Sequence, residues 1–60
     1  MNNGELLSIN ELAALLGVSR STVNAWRMDG AAPAEIKLDG GKLIRFRRED
    51  IDRWLESEAA

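Results

Sequence analysis

The sequence contains no cysteine and no histidine, and these absences exclude the usual supports of a small fold. A chain of 60 residues buries only about 60% of the surface that its unfolded form exposes, so short chains often depend on disulfides or a structural metal. Disulfides require cysteine, and structural zinc sites use mainly cysteine and histidine. Stability must therefore come from regular local structure and from two tryptophans, and the sequence predicts no metal or cofactor site.

Patterns typical of catalysis and of membrane insertion are also missing. Without histidine and cysteine the chain offers no obvious nucleophile–base pair, so we do not expect an enzyme. No apolar run approaches the roughly 20 residues of a membrane span, and the first residues lack the basic flank and apolar segment of a secretory signal. We therefore expect a soluble cytoplasmic protein that does not bind a membrane.

The net charge of −2 is unevenly distributed along the chain. Residues 20–48 carry seven cations against three carboxylates, a net +4, whereas residues 49–60 carry one cation against five carboxylates, a net −4. Such a separation creates a local field that the total charge conceals. The basic central segment favours an anionic partner; a solvated surface of mixed charge is the alternative interpretation.

The first half of the sequence predicts two short helices. Ser8 and Glu11 have the spacing of a capping box, and the apolar repeat after them ends at Gly17, so the first helix covers about 9–16. Ser19 is a second N-cap, followed by a helix over about 20–29. The tight connection through Gly17 favours the steep crossing of a helix-turn-helix unit. Residues 1–6 are predicted to form only a frayed lead.

A β-hairpin is predicted after the second helix. Two runs rich in β-forming residues, 35–38 and 43–47, flank the turn sequence Asp39-Gly40-Gly41-Lys42. If the apolar side chains of both strands share one face, the two residue numbers of each cross-strand pair must sum to an even number. This register requires a loop of odd length, and a three-residue loop with a left-handed glycine satisfies it.

The final segment predicts a third helix over about 48–57. Ile51, Trp54 and Leu55 follow one another at helical spacing, and acidic residues in the first turn suit the helix dipole. Trp26 and Trp54 lie on apolar helical stripes, which favours core packing over a base-stacking role. The complete order is α-α-β-β-α, a mostly helical α+β fold. We expect one winged helix-turn-helix domain over residues 1–60, with an ordered core at about 6–57.

The outward side of the second helix carries the residue types that read DNA. Arginine can bind guanine through two hydrogen bonds, asparagine can bind adenine, and small side chains allow close approach to the bases. The same residues could be ordinary solvent-facing positions, and serine and threonine could merely stabilise the first helical turn. On the hairpin, a lysine beside two glycines could contact phosphate. The predicted contacts are Arg20, Ser21, Thr22, Asn24, Ala25 and Arg27 on the helix, and Lys42 on the hairpin.

The combined motifs resemble a known family. The run LLSINELAALLGVSRSTVNAW, residues 6–26, is similar to excisionase-like and AlpA-like proteins, a group of small MerR-type winged helix-turn-helix proteins. The likeness continues through the glycine–proline linker, the RFRR sequence at 45–48 and the EDIDRWL sequence at 49–55. It covers about residues 6–56, nearly the whole chain.

The resemblance implies a DNA-binding regulator of phage or mobile-element type. Such proteins act as directionality factors in recombination or as transcription regulators, in a bacterial or phage-infected cell at the nucleoid. The resemblance places the second helix in the major groove and the hairpin, with Lys42 and Arg45, against the minor groove or the backbone. It also implies that further copies on adjacent sites, or a recombinase, are partners beside double-stranded DNA.

Two other functions are compatible with the sequence. A similar winged unit begins the small subunits of phage terminases, in which case the chain is the DNA-recognition domain of a longer protein, cut at Ala60. A protein-interaction adaptor that has lost DNA binding would explain the acidic total charge and the predicted exposure of Met28 and Leu43.

Overall fold

The structure, a computed structural model, describes residues 5–59. These residues form three helices and a three-stranded antiparallel sheet, which confirms the predicted α+β fold class and is consistent with a winged helix-turn-helix. One strand precedes the predicted order. The elements are β1 (Leu6–Leu7), α1 (Ile9–Leu16), α2 (Arg20–Asp29), β2 (Ile36–Leu38), a 3₁₀ turn (Asp39–Gly41), β3 (Leu43–Arg47) and α3 (Arg48–Ala59).

Side-chain capping sets the start of α1. The Ser8 hydroxyl accepts a hydrogen bond from the Glu11 backbone N–H at 3.1 Å, and the Ser8 N–H donates to the Glu11 carboxylate at 2.8 Å. This reciprocal pair satisfies two amides that the helix leaves free. The helix ends at Gly17, whose φ of 73° lies in the left-handed region that glycine adopts without strain. The predicted bounds of α1 are confirmed.

The second helix follows by the same means. The Ser19 hydroxyl accepts from the Thr22 N–H at 3.1 Å, and Gly30 caps the other end in the left-handed conformation. These caps give α2 the bounds that the sequence predicts. None of the helices in residues 5–59 has the length and apolar character of a transmembrane segment.

Strand β1 begins within the predicted frayed lead of residues 1–6, and that prediction is wrong for Leu6. Leu6 pairs with Arg47 and Leu7 pairs with Phe46. The side chains of Leu7 and Phe46 are both buried, so cross-strand packing stabilises the pairing. Two residues are too few to show a strand period, which is why no sequence pattern announces β1. Residues 1–4 of the predicted lead lie outside the described residues.

The hairpin has a different register from the predicted one. Leu38 pairs with Leu43, and Ile36 pairs with Arg45, so a four-residue connection replaces the predicted three-residue loop. Positive φ angles at Asp39, at Gly40 and at the next glycine turn the chain through this longer connection. As a result, Ile36 and Leu38 do not share a face with the buried Phe46.

The core lies where the sheet meets all three helices. Its largest fully buried side chains are Phe46, Leu12, Ile51 and Val23. The predicted core position of Trp26 is only partly correct, because its indole is half-buried and packs against this cluster. A single aromatic ring from β3 therefore occupies the centre of the fold.

The third helix extends to Ala59, two residues beyond the prediction, and turns its apolar stripe less deeply inward than expected. Ile51 is fully buried, but Leu55 is 38% exposed. Trp54 is half-buried, with its ring centroid 5.5 Å from that of Trp26 and the two ring planes inclined at 46°. Its indole N–H donates to the Ala31 carbonyl in an exposed hydrogen bond. Trp54 therefore lies at the edge of the core, with its polar end at the surface, and the predicted core position is only partly correct.

Candidate nucleic-acid interface

Helix α2 presents three lengthwise stripes to its surroundings. Successive helical residues are about 100° apart, so residues four and seven positions along return to the same side. Val23 is fully buried and Trp26 half-buried, and these two form the stripe that faces the core. The second stripe comprises Arg20, Asn24 and Arg27. The third, farther round the helix, comprises Ser21, Ala25 and Met28.

The second stripe forms one wall of an open groove of about 390 Å³. The first turn of α1 and the start of β3 with its preceding turn complete the walls, and we call this feature the basic groove. It brings together five of the eight predicted DNA-binding residues, from two elements that are far apart in sequence. Within residues 5–59, no carboxylate lines it. The lining residues are Ser8, Ile9, Arg20, Asn24, Arg27, Gly41, Lys42, Leu43, Ile44 and Arg45.

Three cations of the basic groove differ in their partners from the cations on and beside α3. Arg47 at the end of β3, and Arg48 and Arg53 on α3, each lie within 4.0 Å of an α3 aspartate, so the acidic helix neutralises these cations. Arg20, Lys42 and Arg45 form no ion pair with a carboxylate within residues 5–59. The uneven charge along the sequence thus becomes an unneutralised basic surface beside α2.

Arg27 is the groove cation that does have an acidic partner. Its guanidinium donates to both Glu35 carboxylate oxygens, from Nε at 2.7 Å and from Nη2 at 3.3 Å. This hydrogen-bonded pairing lowers the pKa of Glu35 and raises the pKa of Arg27. The third nitrogen, Nη1, donates to the Asn24 side-chain oxygen at 3.0 Å. Arg27 is therefore oriented by two neighbours before any ligand arrives.

The other predicted cations are held more loosely. Arg20 donates from Nη1 to the Asn10 side-chain oxygen at 2.9 Å, an exposed contact that spans from α2 to α1. Arg45 donates to the backbone carbonyl of Ile44 at 2.8 Å. Lys42 is exposed, directly after the two glycines of the hairpin turn. All three keep further N–H groups available to a ligand.

Three predicted contacts do not line the basic groove. Thr22 belongs to the N-terminal cap of α2, because its hydroxyl lies 3.0 Å from the Ser19 hydroxyl in a hydrogen bond. Ser21 and Ala25 are exposed on the third stripe of α2. Met28, which is not among the predicted DNA contacts, completes that stripe and is 87% exposed.

Two residues that orient the site were not predicted as members of it. Asn10 and Glu35 hold Arg20 and Arg27, but neither belongs to a recognisable binding motif. Glu35 lies beyond the proline linker, and only the folded chain brings it to α2. The residues that the structure describes contain no cluster of metal-binding side chains.

The sequence pattern that defines the helix-turn-helix domain family matches residues 6–59. The chain belongs to this family. Helix-turn-helix domains bind double-stranded DNA and are typically non-enzymatic, and the family includes excisionase-like and AlpA-like proteins. Comparison with curated proteins found no significant match. In this helix-turn-helix domain, α1 and α2 are the two helices of the motif, and α2 occupies the position of the recognition helix.

Proposed function

We propose that this helix-turn-helix domain binds double-stranded DNA sequence-specifically, as an excisionase-like architectural factor or a transcription regulator of phage or mobile-element type. In this proposal α2 enters the major groove and the β2–β3 hairpin follows the neighbouring backbone. The observation that carries it is the basic groove, whose Arg20, Lys42 and Arg45 have no carboxylate partner within residues 5–59. Phosphate is the ligand that neutralises such cations along DNA.

The third stripe of α2 supports a role in base reading. Ser21 and Ala25 are small, so the helix backbone can approach the base edges closely, and Met28 offers an exposed apolar surface to a thymine methyl group. Asn24 and Arg27 border this stripe and offer hydrogen-bond donors. Base contacts would come from these side chains, while Lys42 would set the register through the backbone.

A domain of this size contacts only a short half-site, so tight binding requires a dimer or several copies on adjacent sites. The acidic α3 supports the assignment of the basic groove as the DNA-binding surface. Its carboxylates do not attract DNA, so the basic groove is the surface that does. A recombinase is a further partner if the protein acts as a directionality factor.

The test is selection of bound sequences from a random pool of duplex DNA, followed by footprinting of the selected site. We expect a defined half-site and a footprint covering one major groove and the adjacent backbone. Binding of all duplexes with equal affinity would contradict sequence specificity. Absence of duplex binding even at low salt would contradict DNA binding and favour the adaptor function instead.

A further inference from the structure

The segment between Pro33 and β2 contributes one side chain, Glu35, that contacts the second stripe of α2. The Glu35 carboxylate accepts two hydrogen bonds from one edge of the Arg27 guanidinium, at 2.7 Å and 3.3 Å. Both side chains are about three-quarters buried, with 25% of Arg27 and 22% of Glu35 exposed. The pairing is bidentate, which is the geometry that fixes a guanidinium plane.

The position of Arg27 in turn determines the orientation of the Asn24 side-chain amide. Arg27 Nη1 lies 3.0 Å from the Asn24 side-chain oxygen. A guanidinium has only donors, so the atom of Asn24 that faces it must be the oxygen Oδ1. The amide nitrogen Nδ2, with its two N–H groups, is therefore the end of Asn24 that remains for a ligand. Both Asn24 and Arg27 line the basic groove.

We propose that Glu35 is a specificity-determining positioning residue, which holds Arg27 so that Asn24 presents hydrogen-bond donors to the base edge. Bidentate reading of adenine requires the asparagine oxygen to accept from adenine N6, and that oxygen is the atom turned towards Arg27. Guanine offers two acceptors, N7 and O6, in the major groove. The oriented pair of Asn24 and Arg27 therefore favours guanine over adenine. This inference rests on the proposed DNA binding.

A purely structural Glu35 would stabilise the linker against α2 without changing base preference, and substitutions can separate the two roles. Glu35→Ala removes both acceptors, whereas Glu35→Gln keeps one acceptor for Arg27. Asp29→Ala is the matched control, because Asp29 is an exposed carboxylate at the end of the same helix and makes no ion pair or side-chain hydrogen bond within residues 5–59. Comparing Glu35→Ala with Asp29→Ala removes the general effect of losing one negative charge.

The experiment compares binding of the selected duplex with that of duplexes carrying each base at the position where Asn24→Ala loses its preference. We expect the wild type to prefer guanine over adenine there by about 5- to 150-fold. Glu35→Ala should reduce this ratio to near one, Glu35→Gln should retain part of it, and Asp29→Ala should leave it unchanged. In the free protein, the Asn24 side-chain amide resonances should shift in Glu35→Ala and remain in place in Asp29→Ala.

Three results would overturn the inference: an adenine preference in the wild type, an unchanged ratio in Glu35→Ala, or no position at which Asn24→Ala alters preference. In each of these the wild type still binds duplex DNA, so the proposed function survives. A wild type that binds no duplex at low salt overturns the inference and the proposed function together.

Discussion

The indole nitrogen of Trp54 donates a hydrogen bond to the backbone carbonyl of Ala31 at 2.9 Å, which joins α3 to the linker that follows α2. The same indole packs against Trp26, with 5.5 Å between ring centroids. Trp54 thus fastens the third helix to the end of the second, at the edge of the core rather than at its centre. The centre belongs to Phe46, which is fully buried.

This arrangement predicts unequal costs for removing the two aromatic side chains. Phe46→Ala should lower the free energy of unfolding by about 3–5 kcal/mol, because it empties a closed core position. That loss approaches the total stability of about 5 kcal/mol of a small domain. Trp54→Ala should cost only about 2 kcal/mol, since its ring is half-buried. Urea unfolding followed by circular dichroism measures both.

Trp54→Phe removes the N–H donor and part of the ring system while retaining a smaller aromatic ring. It should cost more than the hydrogen bond alone, about 1 kcal/mol, and less than Trp54→Ala. If Trp54→Ala proves as destabilising as Phe46→Ala, the assignment of Phe46 as the central core residue is wrong.

The capping box at the start of α1 predicts a contrast between two conservative changes. Ser8→Ala should lower stability by about 1 kcal/mol, because the Glu11 N–H loses its acceptor. Glu11→Gln should be nearly neutral, since glutamine can also close a capping box. Thermal unfolding of both variants checks this. Ser8 also lines the basic groove, so a variant that keeps its melting temperature but loses DNA binding would show that Ser8 is a contact instead of a cap.

The pairing of Glu35 with Arg27 predicts a loss of stability in acid. Arg27 lowers the pKa of Glu35 in the folded state, relative to about 4.3 in an unfolded chain. The contribution of this carboxylate is therefore complete above that unfolded value and disappears as the pH falls through the lower folded value. The difference in unfolding free energy between wild type and Glu35→Gln should be largest near pH 7 and shrink below about pH 4.

Urea titrations from pH 7 to pH 3 at constant ionic strength measure this difference. Glu58→Gln serves as the control, because Glu58 is exposed and forms no ion pair within residues 5–59. If the difference in unfolding free energy instead grows as the pH falls, the predicted pH dependence is wrong, and the pair does not favour the ionised carboxylate.

Local signals in the sequence were sufficient to predict the helices. Ser8, Ser19, Gly17 and Gly30 act within a few residues of their own positions, so caps and stops can be recognised without tertiary structure. Helical spacing likewise predicts that Arg20, Asn24 and Arg27 share the outward side of α2. These are the parts of the fold and of the candidate site that follow from short-range chemistry.

The remaining features depend on contacts between distant segments. Strand β1 forms because Leu7 meets Phe46, and a two-residue strand has no period of its own to detect. The hairpin register was wrong because Gly40 and its neighbours allow a longer turn, which rotates Ile36 away from the Phe46 face. Glu35 reaches Arg27 only after the linker folds back, so no spacing rule anticipates that contact.

The central claim is that the cations of the basic groove neutralise DNA phosphates, and the salt dependence of duplex binding tests it most directly. Affinity for a random-sequence duplex is measured over a range of salt concentrations for wild type, Lys42→Ala and Arg53→Ala. Arg53 is the matched control, because it lies on α3 beside Asp50 and does not line the groove. All three proteins must give the same folded circular dichroism spectrum.

We predict that the logarithm of affinity falls with the logarithm of salt concentration, and that Lys42→Ala reduces this slope by about one while weakening all sequences alike. Arg53→Ala should keep the wild-type slope. If Lys42→Ala keeps the slope as well, or if Arg53→Ala reduces it equally, then the basic groove is not the DNA-binding surface.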